Sequence, residues 1–144
     1  MGNGNFEITI EDTTFANNTV QHAFGGGISF LFDNYAIKIA NCTFKDNVAI
    51  GGNGGALYFD KDNADISIIS TNFSDNRAKS GGSLYFHSET RNLVLFDLRI
   101  VGNIASREGG GIVFMVDNEN VLVDQCFFQD NVAGDTGWWD YLFL

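Results

Sequence analysis

Four carboxylates recur at matched places along this chain: Asp33, Asp62, Glu89 and Asp117, each three residues past a phenylalanine. Asn34, Asn63, Thr90 and Asn118 follow them directly. If the chain winds so that these positions stack one strand spacing apart, the carboxylates lie about 5 Å from one another along one edge. Like charges at that separation repel, and Ca²⁺ with oxygen ligands would relieve the repulsion. The competing account is that tight turns favour Asp and Asn for backbone reasons, with the side chains splayed into water. No strict calcium-repeat nonapeptide occurs, so the turn account is preferred. Ca²⁺ is the one cofactor left open. A weaker column of the same kind is Asn17, Asp46, Asp75, Gly102 and Asp130.

Other reactive residues are sparse. His22 and His87 stand in different places of different repeats, with neither zinc spacing nor an adjacent nucleophile. A polysaccharide lyase or hydrolase needs carboxylates clustered with one another or with Arg and Lys at one level. Here the eight basic residues are scattered, and every repeat connection after the strand phenylalanine has the same length. No catalytic residue is assigned on that pattern, and the chain is read as a non-enzyme. Cys42 and Cys126 occupy equivalent positions three repeats apart, about 14 Å by strand spacing, too far for a disulfide. They are read as small buried residues. Asn17-Asn18-Thr19, Asn41-Cys42-Thr43 and Asn72-Phe73-Ser74 match the glycosylation acceptor pattern, which gives Asn17, Asn41 and Asn72 as acceptors in a secretory host.

What must position these residues is a repeat. A short apolar strand ends in Phe-x-x-Asn five times, with Ile100 in place of Phe once, at spacings of 27 to 29 residues. Five to seven residues later comes Gly-Gly-small-Ile/Leu-x-Phe, four times. A period of that size marks one supersecondary unit stacked on the next. Ile28-Ser29-Phe30, Leu57-Tyr58-Phe59, Leu84-Tyr85-Phe86 and Ile112-Val113-Phe114 alternate as half-buried strands do. Seven residues after each Phe begins a second strand: Ile37-Lys38-Ile39, Ile66-Ser67-Ile68, Leu93-Val94-Leu95 and Val121-Leu122-Val123, with Ile8-Thr9-Ile10 as a partial first copy. A third short strand holds the Phe of Phe-x-x-Asn. The expected fold is therefore all-β, a right-handed parallel β-helix of about five coils with three short strands each. Residues 1–144 form a single domain, with coils near 6–30, 31–59, 60–86, 87–114 and 115–144.

Stacking gives the repeated residues their reasons. Asn18, Asn47, Asn76, Asn103 and Asn131 fall at one bend, where Asn tolerates left-handed backbone and its amide reaches the Asn above and below. The glycines Gly26, Gly54, Gly55, Gly81, Gly82, Gly109 and Gly110 permit a tight corner. They do not read as a phosphate loop, because neither a helix nor Lys-Ser/Thr follows and the motif repeats. Phe30, Phe59, Phe86 and Phe114 form one core column, and Phe15, Phe44, Phe73 and Phe128 another. Tyr58 and Tyr85 point the other way and offer a two-ring stacking surface for a saccharide or simply cover the sheet.

Cys42-Thr43-Phe44-Lys45-Asp46-Asn47 followed by Gly54-Gly55-Ala56-Leu57 resembles the repeat of the chlamydial polymorphic membrane proteins. The resemblance extends from about Phe6 to Asn131. It implies the β-helical passenger of an autotransporter, displayed at the cell surface or outside the cell and engaged in adhesion to proteins or glycans. No leader is visible after Met1, and no 18-residue apolar run spans a bilayer. With 18 acidic and eight basic residues, a formal charge of −10 argues against nucleic acid as a partner.

The expected role is a non-catalytic surface or secreted module, for adhesion or as a rigid spacer. Two alternatives stand beside it. One is a β-helix that binds or degrades polysaccharide, like a pectate lyase. The other is a filament unit joined end to end through open terminal coils. The aromatic stretch Gly137-Trp138-Trp139-Asp140-Tyr141-Leu142-Phe143-Leu144 is read as a cap on the last coil or a truncated further one.

Overall fold

A computed structural model describes residues 2–134 and the backbone of 142–143. The chain is a parallel β-solenoid. Each coil visits four walls in turn, and each wall is a sheet whose strands come one from every coil. The first sheet holds the long strands Phe6–Glu11, Tyr35–Ala40, Ala64–Ile69, Arg91–Phe96 and Glu119–Asp124. The second holds Thr14–Ala16, Thr43–Lys45, Asn72–Ser74, Arg99–Val101 and Phe127–Gln129. The third is made of two-residue strands: Thr19–Val20, Val48–Ala49, Arg77–Ala78, Ile104–Ala105 and Val132–Ala133. The fourth holds Ile28–Phe30, Leu57–Lys61, Leu84–Ser88 and Ile112–Val116. The three strands expected per coil are all present, joined by the two-residue strand that follows the ladder asparagine.

Pairing between these strands is parallel and in the register the repeat implies, with Phe44↔Phe73↔Ile100↔Phe128 and Phe30↔Phe59↔Phe86↔Phe114. At the end of the fourth sheet Leu142–Phe143 pairs antiparallel with Ile112–Val116. The remainder of the aromatic stretch expected to cap the last coil lies outside the described residues.

The core is a set of vertical columns. Phe30, Phe59, Phe86 and Phe114 stack with ring centroids 4.7, 4.9 and 5.1 Å apart. Phe15, Phe44 and Phe73 stack at 4.8 and 5.1 Å, and buried Ile100 continues the column. Each aromatic pair adds about 0.5–1.5 kcal/mol beyond the area it buries. Ile37, Ile66 and Leu93, with Ile39, Ile68 and Leu95, form the two inward columns of the first sheet, all essentially inaccessible. Cys42 is buried and Cys126 half-buried, and neither is bridged. The Cys42 thiol donates to the Ala40 carbonyl at 3.2 Å, a local bond that satisfies it without a partner cysteine.

Corners between walls are made by left-handed residues, and this corrects one expectation. The left-handed residue at the bend between the second and third sheets is not the ladder asparagine but the one before it: Asn17, Asp46, Asp75, Gly102 and Asp130, with φ of 53 to 67°. The bend into the first sheet follows the same plan, with Gly4, Asp33, Asp62, Glu89 and Asp117 at 53 to 66°. Asp and Asn are the non-glycine residues best suited to that region.

The glycine pair divides its labour. Gly54 has φ +68°, whereas Gly55 is needed for space: a Cβ there would sit 2.1 Å from the Gly82 carbonyl oxygen of the next coil. One feature is signalled in only three of the five coils, where Asp or Asn stands. Glu7, Ala36, Asp65, Asn92 and Asn120 are left-handed near the start of every first-sheet strand, and ladder pairing skips them. Each strand is thereby kinked at the same height.

Candidate functional site

The repeated polar residues are absorbed by the scaffold. Asn18, Asn47, Asn76, Asn103 and Asn131 form a continuous amide ladder, each Nδ2 donating to the next Oδ1 at 2.8, 3.0, 2.9 and 2.9 Å. Each receiving Oδ1 also accepts the backbone N–H of the previous asparagine. The second Nδ2 hydrogen of Asn47, Asn76 and Asn103 goes to the carbonyl of Phe15, Phe44 or Phe73, and the Nδ2 of the last rung, Asn131, donates to the Ile100 carbonyl. Asn47, Asn76 and Asn103 are fully buried, so this complete pairing is what makes burial of their amides tolerable.

A second ladder runs up the opposite corner, through the residues that follow the acidic column. Asn5 donates to Asn34 at 2.8 Å and Asn34 to Asn63 at 2.9 Å. It breaks at Thr90. There the Thr90 hydroxyl and the Asn118 Nδ2 are buried with no hydrogen-bond partner, while the Thr90 N–H still reaches Asn118 Oδ1 at 3.1 Å. Thr90→Asn rebuilds the rung and is expected to raise unfolding stability by about 1–2 kcal/mol in urea denaturation. No gain, or a loss, would show that this corner does not depend on the amide ladder.

The four carboxylates singled out in the sequence are the corner residues themselves. Asp33, Asp62, Glu89 and Asp117 stand in left-handed backbone along one edge, as the turn account requires. Two of them meet cations: Lys61 lies 3.3 Å from Glu89 and Arg91 lies 3.6 Å from Asp62. The Glu89 hydrogen bond and charge raise the pKa of the Lys61 ammonium. Among the described residues no three His, Cys, Asp or Glu side chains come together in a way that would hold a metal. The structure therefore stacks these carboxylates without converging them.

One titratable pair was missed. His87 has a partner: its Nδ1 lies 2.9 Å from Asp60 Oδ1, which also accepts the Tyr58 hydroxyl at 3.2 Å. The signal was present, since Asp60 and His87 each directly follow the strand phenylalanine in adjacent coils. A carboxylate that orients an imidazole is half of a catalytic triad. The next coil places Met115 at this position, so the file brings no nucleophile to the imidazole.

Tyr58 and Tyr85 are not a platform. They are 3% and 5% exposed, and Phe24 stacks on Tyr58 with centroids 4.5 Å apart. The saccharide surface allowed for these two rings is therefore withdrawn.

Burial, then the charge and hydrogen bond of Asp60, push the Tyr58 hydroxyl far above the ordinary tyrosine value. The folded state thus prefers neutral Tyr58. Its contribution is complete below about pH 10, where the unfolded phenol ionises, and is lost as pH rises beyond that. In an alkaline titration followed by phenolate absorbance, Tyr58 should ionise late, together with unfolding. Tyr58→Phe should reduce the amplitude of the delayed step by one phenol, and superimposable curves would refute the assignment.

Asn17, Asn41 and Asn72, the three acceptor-pattern asparagines, are all exposed. Among the described residues no helix is long and apolar enough to cross a membrane. Residues 41–60 match the model of the Chlamydia polymorphic membrane protein repeat, the same stretch whose motif carries the resemblance. No curated protein and no solved structure matches the chain significantly.

Proposed function

We propose that this chain is a non-catalytic, surface-exposed or secreted β-helix module that acts in adhesion through its lateral faces, with the stacked coils serving as a rigid spacer. One observation carries the reading. Both corner files of repeated Asn and Asp are consumed in backbone bends and amide ladders, which leaves the side chains that differ from coil to coil on the outside. A catalytic solenoid spends its polar residues differently, gathering acids and bases at one level. The polymorphic membrane protein repeat at residues 41–60 supports placement at a cell surface. Five coils at about 4.8 Å give a core about 24 Å long, a short rod suited to presenting side faces.

Attachment of the purified, fluorescently labelled chain to cultured epithelial cells tests adhesion. A reducing-end assay on neutral and uronate polysaccharides tests catalysis. Saturable attachment without turnover is the expected result. Release of reducing ends from any polymer would overturn the non-catalytic reading, and absence of attachment would leave the spacer role alone.

A further inference from the structure

Between the first and second sheets the solenoid has an open cleft of about 400 Å³, within the range of small-ligand sites. Two parallel files line it: Ser70, Asp97 and Gln125 at the corner, and Asn72, Arg99 and Phe127 at the head of the second-sheet strands. The register Asn72↔Arg99↔Phe127 makes each file three coils tall, about 10 Å by strand spacing. Buried Leu98 lies between the files.

These six residues are not what the scaffold calls for. The first two coils carry Thr14 and Thr43 where the later three have an amide, a guanidinium and a phenyl ring. Threonine is a good residue for a bare strand. At the corner, all five equivalents have φ between 47 and 54°, and Asp12 and Asn41 suit it. Ser70 and Gln125 hold the same left-handed backbone with side chains less suited to it, so the bend does not explain them.

The groups are also pre-arranged. Ser70 Oγ donates to Asp97 Oδ2 at 2.8 Å, fixing the carboxylate. The Arg99 guanidinium carbon sits 4.9 Å from the centroid of the Phe127 ring, which remains 48% exposed. A half-exposed ring beside a carboxylate, two amides and a guanidinium is a match for a pyranose. The sugar's C–H face packs on the ring, and its vicinal hydroxyls pair with planar donors and acceptors. A wholly apolar ligand would strand those polar groups without water. An anionic polymer would approach a chain of net charge −10 with Asp97 in the middle of the cleft. We propose that this cleft binds a neutral glycan, spanning two hexopyranose rings, and that it is the contact face of the adhesion module. The assignment rests on the surface reading above.

The test is an array of neutral and acidic glycans, followed by titration of the best neutral disaccharide into the whole chain by amide NMR. Saturable shifts are expected at Ser70, Asp97 and Phe127. Phe127→Ala and Arg99→Ala should each weaken binding by about tenfold or more. Thr43→Ala, outside the cleft, should leave it unchanged. Absence of any neutral hit, hits confined to acidic glycans, or full binding by Phe127→Ala would overturn the site.

Cell attachment separates the two readings. Attachment unaffected by Phe127→Ala and by competing disaccharide overturns the cleft and leaves adhesion standing. Saturable cleft shifts without attachment keep the glycan site and overturn adhesion.

Discussion

Asn76→Ala is expected to lower the unfolding free energy by about 4 kcal/mol, several times the effect of Asn18→Ala. The difference follows from where the two amides sit on one ladder. Asn76 Oδ1 accepts both the backbone N–H and the Nδ2 of Asn47, each at 3.0 Å. Its own Nδ2 donates to the Phe44 carbonyl at 3.0 Å and to Asn103 Oδ1 at 2.9 Å. Removing the side chain orphans two donors outright and weakens two acceptors, all of them buried. Each orphaned buried group costs about 1–3 kcal/mol. Against a total stability of about 5–15 kcal/mol, that is a large share. Asn18 is exposed, and its backbone N–H still reaches Asn47 Oδ1 when the side chain is lost. Water replaces its amide, so the loss should be about 1 kcal/mol or less. Urea denaturation of both variants decides the matter. Equal losses would mean that the ladder is ornamental and that the hydrophobic columns alone hold the coils in register. Asn76→Ala with Asn103→Ala should also be strongly non-additive, since the two share one network.

That ladder was legible because identical residues at one height need only the assumption of stacking. The second one was not, although its residues were in view. Asp33-Asn34 and Asp62-Asn63 are the same dipeptide as Asp46-Asn47 and Asp75-Asn76. In each, the first residue takes the left-handed bend and the second turns its amide into the wall. The Asp was placed at the turn from its type, but the Asn after it, though named, was not given the ladder role it shares with Asn47 and Asn76.

The phenylalanine columns were readable for a simpler reason. A two-residue alternation beside a fixed period leaves one face for the core. Two features could not be read in this way. Ala36 gives no hint that it is left-handed, although its equivalents in the other four coils share that backbone. Tyr58 faces outward by alternation yet is buried under Phe24, a cover supplied by a turn of irregular length. The cleft at Arg99 and Phe127 lies where the residue type changes from coil to coil, Thr14, Thr43, Asn72, Arg99 and Phe127 sharing one register, so period-based reading discounts it. Departures from the repeat are where such a surface carries information.

Gly82→Ala is expected to abolish folding, or to destabilise by about 4–5 kcal/mol or more, from the addition of one methyl group. Gly82 needs no unusual backbone angle; what it lacks is room. A Cβ there would lie 2.1 Å from the Gly110 carbonyl oxygen and 2.8 Å from the backbone N and C of Ile104. All of these are main-chain atoms, and the local backbone is hydrogen-bonded between coils: Ile104 N–H donates to the Asn76 carbonyl and Gly82 N–H to the Gly109 carbonyl, each at 2.9 Å. No rotamer change can make space. Relief requires moving a whole coil, which breaks the pairing of its neighbours. Gly51→Ala is the informative contrast. Gly51 has φ +73° but nothing within 4 Å of the added atom, so only left-handed strain of about 1–2 kcal/mol applies. Thermal melts by circular dichroism should therefore show Gly51→Ala folded with a modestly lowered midpoint and Gly82→Ala without a cooperative transition. If Gly82→Ala melts within a few degrees of the parent, the coils have slack at this corner. The close approach of one coil's backbone to the next would then not be what sets the spacing of the solenoid.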